Sequence, residues 1–415
     1  MKKSLLAAAV LSAVSFGAQA DGVELYGILD AGVATVSESL SIDPFFPSTI
    51  SVKGGVKSTT ASQTGVSQSV TGLVSGVLSG SRWGIKGSED MGDGLKAIFT
   101  LESGIDIGTG NLVNGQQSRL DGSSYSGNGS SSNGQLFGRQ AWVGLKDAEL
   151  GEVRLGRNYS LMFDVYGEYG IVQNAQLLTP TGNSGSVGGG AGATENLRLD
   201  NSVKYIGKTG DINYSAVYKF GNIAGSTSQG TVYSARLGYE TGAFGVQAVY
   251  MGSTDTVTTT SSTAGYLVNT SAYLVAAKYK FNDTLTGKIN YQRYNLQNPS
   301  DSTVSGSTSY YGYTLTSVTP RTAGSGGVNV ASAGVDYRYS DKLGLYAGYT
   351  TINYDATGSS AAGTNVSFSE QYASLLLDYN LSKRTDVYLG GMQVTTGQSG
   401  YQGLNVIAAG MRHKF

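Results

Sequence analysis

The side chains that most often carry out covalent chemistry are nearly absent from this chain. Its 415 residues include no cysteine and a single histidine, His413. Thiolate nucleophiles, iron–sulfur clusters and cysteine-ligated zinc are therefore excluded, and so is a metal site built from several histidines. His413 has no nucleophile near it in the sequence that it could activate as a base. The composition argues against an enzyme and predicts no catalytic residue, no cofactor and no metal.

Two local patterns resemble ligand sites but lack the context that such sites need. Residues 188–193 imitate a dinucleotide fingerprint, yet they lie in a long glycine-rich stretch, with no strand before them and no helix after them. Loop carboxylates such as Asp301, Asp355 and Glu195 could bind calcium, but they lack the spacing of an EF-hand. Neither pattern defines a function.

The N-terminus has the form of a bacterial export signal. Lys2 and Lys3 precede an apolar stretch over residues 4–17, and residues 18–20, Ala-Gln-Ala, have the small-x-small form of a cleavage site. We predict a cleaved signal peptide over residues 1–20 and a single domain over residues 21–415, exported in a double-membrane bacterium. The formal net charge of −1 gives no sign of nucleic-acid binding.

Polar and apolar residues alternate along the remaining chain. Residues 23–37 put Leu25 and Leu29 on one face of a strand and Tyr26 and Asp30 on the other. Segments of about 10–13 residues with this period recur to the C-terminus, and that is the length of a tilted strand that crosses a bilayer. No internal apolar run approaches the roughly 20 residues of a membrane helix.

The connections between these segments alternate in length. Tight turns such as 89–93 and 147–151 alternate with long loops rich in Gly, Ser, Thr and Asn, such as 38–78 and 297–326. The predicted strands are roughly 22–37, 79–88, 94–107, 135–146, 152–159, 198–207, 211–222, 231–241, 243–253, 269–281, 284–296, 327–340, 342–354, 366–381, 384–396 and 403–415. An even number of strands lets the first and last pair, so that no sheet edge faces lipid.

The predicted fold is therefore all-β, a 16-stranded antiparallel up-and-down transmembrane β-barrel. Such a barrel encloses an aqueous lumen and needs apolar residues only on its outer face. Tyrosines and phenylalanines beside the short turns suit an interfacial girdle: Tyr279, Phe281, Tyr337, Tyr339 and Tyr379. A β-sandwich is the alternative, but its turns do not usually alternate so regularly between short and long.

Several ordered blocks resemble the general porins of Gram-negative outer membranes, especially the beta-proteobacterial group. They are residues 82–97 (RWGIKGSEDMGDGLKA), residues 138–145 (GRQAWVGL) and residues 155–159 (LGRNY). Two further blocks are Leu25-Tyr26-Gly27 with Asp30-Ala31-Gly32, and the terminal Arg412-His413-Lys414-Phe415. The resemblance runs from about Gly22 to Phe415 and implies a homotrimer of diffusion pores.

The resemblance also implies where the pore narrows. In this family the third extracellular loop, here about residues 160–197, folds into the lumen, and its acids face basic side chains on the wall. Asp164, five residues past Tyr159, matches the family's loop acid, and Glu168 is the second candidate. Arg82, Arg139 and Arg198 match the basic wall. Opposed rings of charge favour one sign of ion, and three arginines against two acids predict a slight anion preference.

Further residues receive secondary roles. Asp30, Arg157 and Lys204 are candidates for the lumen or the trimer interface, where the family uses the second loop, here about 108–134, as a latch. The last strand alternates to Phe415 and, with Met411 and His413, looks like the signal read by the insertion machinery.

We therefore expect a passive outer-membrane channel for small hydrophilic solutes and ions. Its expected partners are two further copies of the chain, in a homotrimer, and outer-membrane lipid. A substrate-specific barrel channel with an aromatic slide is the alternative, followed by a surface β-rich adhesin. An enzyme built on a barrel would need a compact catalytic constellation, which a chain with one histidine does not favour.

Overall fold

A computed structural model describes residues 22–40, 66–113, 136–180, 197–222, 225–259, 264–300, 306–310, 313–320, 326–359, 364–397 and 401–415. The predicted signal peptide, most of the predicted second loop, and residues 188–195 lie outside these ranges.

Almost all of the described chain is extended. The strands are β1 (Val23–Leu40), β2 (Val66–Ser75), β3 (Arg82–Gly92), β4 (Leu95–Ile105), β5 (Leu112–Val113), β6 (Gln140–Asp147), β7 (Gly151–Tyr159), β8 (Arg198–Thr209), β9 (Ile212–Lys219), β10 (Thr231–Glu240), β11 (Phe244–Thr259), β12 (Ala264–Lys280), β13 (Leu285–Gln297), β14 (Gly306–Tyr310), β15 (Tyr313–Pro320), β16 (Gly326–Arg338), β17 (Leu343–Ser359), β18 (Thr364–Asn380), β19 (Thr385–Thr396) and β20 (Tyr401–Lys414). One helix, α1 (Leu161–Tyr169), and a 3-10 turn (Val172–Asn174) are the helical elements among the described residues.

The strands close into one barrel. Sixteen of them form the wall, each antiparallel to its neighbours, while β2, β5, β14 and β15 are additional pieces at its margin. β1 closes the circle by pairing with β20 from Ile28↔Lys414 onward, and with β3 on its other side. The predicted sixteen-stranded antiparallel up-and-down barrel is confirmed.

The second wall strand departs from the prediction because it is interrupted. β2 and β3 both pair with β1, and residues 76–81 separate them. The predicted loop 38–78 therefore contains a strand. Gly76 has a φ of 80°, a left-handed conformation that glycine adopts without strain. The Asp30 carboxylate accepts hydrogen bonds from the backbone N–H groups of Leu78 and Ser79, and these bonds hold the inserted segment.

The predicted loop 297–326 likewise contains regular structure, because β14 and β15 form a hairpin there. β15 also pairs in parallel with the start of β12.

The outer face of the wall is apolar, as the alternation predicted. Leu25 is 59% exposed and Leu375 67%, while buried neighbours such as Ser374 and Leu376 point the other way. The predicted girdle residues near the short turns are exposed as well.

Among the described residues, no helix is long and apolar enough to cross a membrane.

The inner face differs from the prediction on one side of the barrel. Val330 on β16, Ile352 on β17 and Leu376 on β18 point inward and are buried, in one cluster with Ile171 and Leu178 of the third loop. The expectation that apolar residues are confined to the outer face is wrong here, because the loop covers this part of the inner wall. The remaining inner wall, on β3 to β13, carries most of the charged side chains described below.

Candidate functional site

The third loop begins as a helix inside the barrel. Ser160 caps α1, since its hydroxyl accepts a hydrogen bond from the Phe163 N–H at 3.2 Å. The buried residues recur at helical spacing: Leu161, Met162, Val165, Tyr166 and Tyr169. This stripe packs against β9 to β13, and the predicted inward fold of the third loop is confirmed.

The two predicted loop acids lie on α1, but each is paired with a cation of the wall. The Asp164 carboxylate lies 2.5 Å from the Lys204 ammonium, which also donates to the Tyr159 carbonyl oxygen. The Glu168 carboxylate lies 2.7 Å from the Arg236 guanidinium. Asp164 therefore anchors the loop to the wall, rather than standing free to face the arginines as the sequence suggested. Glu168 keeps 46% of its side chain exposed to the lumen.

Two further cations bind the end of the helix. The Lys288 ammonium donates to the Gly170 carbonyl oxygen at 3.1 Å, and the Lys278 ammonium lies 4.7 Å from the centre of the Tyr169 ring. Burial raises the pKa of the Tyr169 phenol, so this group is neutral beside Lys278. We call Lys204, Arg236, Lys278 and Lys288 the docking strip. Arg236, Lys278 and Lys288 are not among the residues predicted from the sequence, although strand alternation alone places them on the inner face.

The turn after α1 is held by a second polar network. Val172, Gln173 and Asn174 all have φ between 49° and 55°, a conformation that side chains with a Cβ seldom adopt. The Gln173 side chain donates to Asp378 at 2.6 Å and accepts from Arg412 at 3.2 Å. Such backbone persists only where its surroundings fix it, and this network on β18 and β20 does so.

Asp30 belongs to the same region and is completely buried. Its carboxylate accepts from the Tyr388 hydroxyl at 2.5 Å as well as from residues 78 and 79. Asp30 therefore lies on the inner face of β1 but beneath the inserted segment, which its hydrogen bonds hold against the wall. That segment in turn accepts a backbone hydrogen bond from Leu177 of the third loop at the Val77 carbonyl.

The three predicted arginines lie together on β3, β8 and the residue before β6. Arg139 pairs with the Glu102 carboxylate at 2.7 Å, and both side chains are almost completely buried. Arg198 and Arg139 lie over the ring of Tyr159, at 5.5 Å and 5.8 Å from its centre. The Arg82 guanidinium donates to the Gly80 carbonyl at 2.9 Å. We call Arg82, Arg139 and Arg198 the arginine cluster.

One carboxylate serves this cluster. The hydroxyl groups of Tyr26 and Tyr159 donate to Glu102 at 2.9 Å and 2.7 Å. Strand register places Glu102 opposite Gly84, and the lack of a side chain there lets the Tyr26 ring approach. Within the described residues, Arg139 Nη1 and Arg198 Nε are buried donors without a hydrogen-bond partner. The cluster thus has more positive charge and more donors than its protein surroundings satisfy.

Arg157 is in register with Ala141, at a point where the pairing of β7 with β8 shifts, and its side chain is 8% exposed. It pairs with Asp200 and donates to the Gly138 carbonyl at 2.8 Å. Two partners thus fix the Arg157 side chain, and its role in the lumen or at the trimer interface stays a prediction. Lys204 points inward and belongs to the docking strip.

The final strand presents Met411 and Phe415 outward, at 52% and 39% exposure. His413 shares a hydrogen bond with the Thr385 hydroxyl at 2.9 Å.

In the described part of the chain, no group of three His, Cys, Asp or Glu residues could hold a metal ion. Asp355, a calcium candidate, pairs with Arg293 instead.

A closed barrel with an apolar outside, a charged inside and an inward loop defines a membrane channel protein. The chain matches the model of the Gram-negative porin family over residues 7–399, and it belongs to that family. Porins are channels rather than enzymes, which agrees with the composition.

Curated relatives agree with this assignment. The chain is 34% identical over 209 residues to an outer membrane porin protein of Bordetella pertussis, a match covering 49% of this chain and 44% of that protein. It is 30% identical to outer membrane porin protein 32 of Delftia acidovorans, covering 49% and 45%. The matched part thus spans under half the length of both relatives. Major outer membrane protein P.IA of Neisseria meningitidis is 25% identical over the full length of both chains.

Solved structures share the fold. The anion-selective porin from Comamonas acidovorans has a TM-score of 0.63 at 20% identity, covering 95% of this chain and 99% of that one. The trimer form of OmpT from Vibrio cholerae has a TM-score of 0.56 at 14% identity and covers 95% of this chain.

Proposed function

We propose that this outer-membrane porin is a passive channel for small hydrophilic solutes and ions with a slight preference for anions. The observation that carries the preference is the arginine cluster, in which Arg139 is paired with Glu102 and Arg198 lies over the Tyr159 ring, without a carboxylate of its own. Guanidinium keeps its charge at any physiological pH. The docking strip contributes less, because its cations are paired with Asp164, Glu168, Glu240 and Asp336. The Comamonas acidovorans porin of the same fold is described as anion-selective.

Replacing Arg82, Arg139 and Arg198 by alanine tests this role. In planar bilayers under a salt gradient, we expect the reversal potential to move toward that of a cation-preferring pore. Replacing Lys146, Lys208 and Lys342, three exposed cations near the short turns, removes the same charge far from the arginine cluster and should leave the reversal potential in place. An unchanged potential in the arginine variant would remove the cluster from the selectivity site.

The homotrimer is also a proposal, and the outer surface supports it. Exposed aromatic side chains on the described outer face occur only from β9 onward, at Tyr218 and beyond. The exposed large apolar side chains of β1 to β7 are aliphatic or methionine, such as Leu29, Val143 and Leu155. A face that lies against neighbouring subunits needs no interfacial girdle. Crosslinking through cysteines introduced at Val143 and Leu155 should yield trimers, whereas monomers alone would count against it.

The single exported domain over residues 21–415 completes the proposal, with residues 1–20 removed on export. N-terminal sequencing of the outer-membrane protein should begin at Asp21.

A further inference from the structure

The short-turn end of the barrel is electrically divided into two sectors. The turns after β3, β6 and β8 are rich in exposed acids: Glu89, Asp90, Asp93, Glu149 and Asp211. The end of the barrel from β12 to β20 carries exposed cations, which we call the cationic rim: Lys280, Arg338, Lys342, Lys383, Arg384 and Lys414. Exposed acids in that second sector are Asp283 and Asp341.

Most of the cationic rim is not neutralised by the protein. Lys280 pairs with Asp283 at 2.8 Å, and the Arg338 guanidinium donates to the Asp283 carbonyl. For the side chains of Lys342, Lys383, Arg384 and Lys414, no described carboxylate lies within ion-pair distance. Two of the rim residues are directly adjacent, because the Lys414 N–H donates to the Arg384 carbonyl at 2.8 Å.

A row of aromatic side chains lies next to the rim on the outer face. Tyr279, Phe281, Tyr337, Tyr339 and Tyr379 are between 40% and 66% exposed and stand within a few residues of the rim cations. Aromatic rings at this level lie at the boundary between headgroups and hydrocarbon.

An apolar hollow of about 1720 Å³ adjoins the aromatic row, and Tyr279, Phe281 and Tyr337 of that row line its edge. Large and small side chains alternate there between neighbouring strands, since Ala347 is in register with Val335 and Leu375, and Gly391 with Leu375 and Ile407. No residue of the third loop lines the hollow, although Ile171 lies against the inner side of Gly334 and Gly348. Tyr349, Leu375 and Ile407 line the hollow and are exposed on the outer face, so the hollow opens there, while the inward-facing Lys278 and Lys288 also contribute to its lining.

We propose that the outer face beside the cationic rim binds anionic phospholipid of the periplasmic leaflet. Short turns face the periplasm in outer-membrane barrels, so the cationic rim lies at the phosphate level of that leaflet. The three layers match the three parts of a diacyl phospholipid: cations for an anionic headgroup, aromatic rings for the ester region, and the hollow for acyl chains. The acidic sector would repel the same headgroup. This proposed lipid site depends on the orientation of the barrel in the membrane, but not on whether the barrel conducts ions.

The test compares lipid retention by the purified protein in nonionic detergent, measured by native mass spectrometry. The probes are phosphatidylglycerol and phosphatidylethanolamine with identical acyl chains. We expect phosphatidylglycerol to be retained preferentially at low ionic strength. The double variant Lys383→Gln/Arg384→Gln should weaken that retention by on the order of ten-fold or more, since each basic side chain near an anionic surface contributes roughly five-fold.

A matched double variant in the acidic sector, Lys146→Gln/Lys208→Gln, should change the retention less than two-fold. Filling the hollow with Ala373→Leu should reduce the retention of both lipids, whereas Ala248→Leu, an outward residue outside the hollow, should not. Equal retention of the two lipids, or equal losses in the two double variants, would overturn the proposal. Preference for a phosphorylated glycolipid over phosphatidylglycerol would also overturn it. Since conductance is not the readout, failure here leaves the channel proposal standing.

Discussion

The arginine cluster and the docking strip are both basic regions of the inner wall, and they differ in how their charges are matched. Each cation of the docking strip has its own carboxylate: Lys204 with Asp164, Arg236 with Glu168, Lys278 with Glu240 and Lys288 with Asp336. In the cluster, Glu102 is the carboxylate near Arg139 and Arg82, while Arg198 lies over the Tyr159 ring. Matched charges hold a loop in place, whereas an unmatched excess leaves a positive field in the lumen.

The largest expected effect comes from removing the negative charge of Glu102, the carboxylate of the arginine cluster. Glu102→Gln keeps the shape of the side chain but leaves Arg139 without its buried counter-charge, a change that typically costs about 3–5 kcal/mol. We expect a free energy of unfolding lower by about that amount in detergent micelles, together with a stronger anion preference in bilayers. Equal stability of the variant and the parent protein would show that the cluster does not depend on Glu102.

The second effect concerns the buried member of the docking strip. Asp164→Asn removes the carboxylate that lies 2.5 Å from Lys204, whose side chain is 1% exposed. Lys204 keeps its hydrogen bond to the Tyr159 carbonyl, so we expect a smaller loss of stability, about 1–3 kcal/mol. The start of α1 should loosen as well, which amide hydrogen exchange over residues 160–166 would detect. Protection equal to that of the parent protein would contradict a docking role for Asp164.

The sequence was sufficient for the fold but only partly for the site. Alternation and turn lengths predicted the closed barrel, because both follow locally from strand geometry and lipid contact. The arginine cluster was reached through the resemblance, while its partner Glu102 is identified by contacts with Tyr26 on β1 and Tyr159 on β7, which are distant from it in sequence. Register between strands distant in sequence is not encoded in local periodicity.

The differences between the predicted and the observed inner wall share one physical cause. Alternation shows that a strand has two faces, but it does not show what covers the inner one. The apolar inner residues of β16 to β20, the inward segment 76–81 and the buried Asp30 all result from the path of the third loop. That path is set by tertiary contacts such as Gln173 with Asp378 and Arg412.

The smallest expected effect lies at the exposed end of the docking strip and sharpens the comparison with Asp164. Glu168 retains 46% of its side-chain exposure, so its pair with Arg236 is screened by water, and such pairs contribute about 1 kcal/mol or less. We expect Glu168→Gln to change the free energy of unfolding by less than about 1 kcal/mol. Removing the Glu168 charge leaves the Arg236 charge unpaired in the lumen. Single-channel recording should therefore show a modest increase in anion preference at 0.1 M salt. This increase should fade toward 1 M salt, because the screening length falls from about 10 Å to about 3 Å. A loss of stability as large as that of Asp164→Asn would show that the difference in burial does not make the two ion pairs differ in their contribution to stability. An anion preference that is independent of salt would show that Arg236 acts on ions only in direct contact.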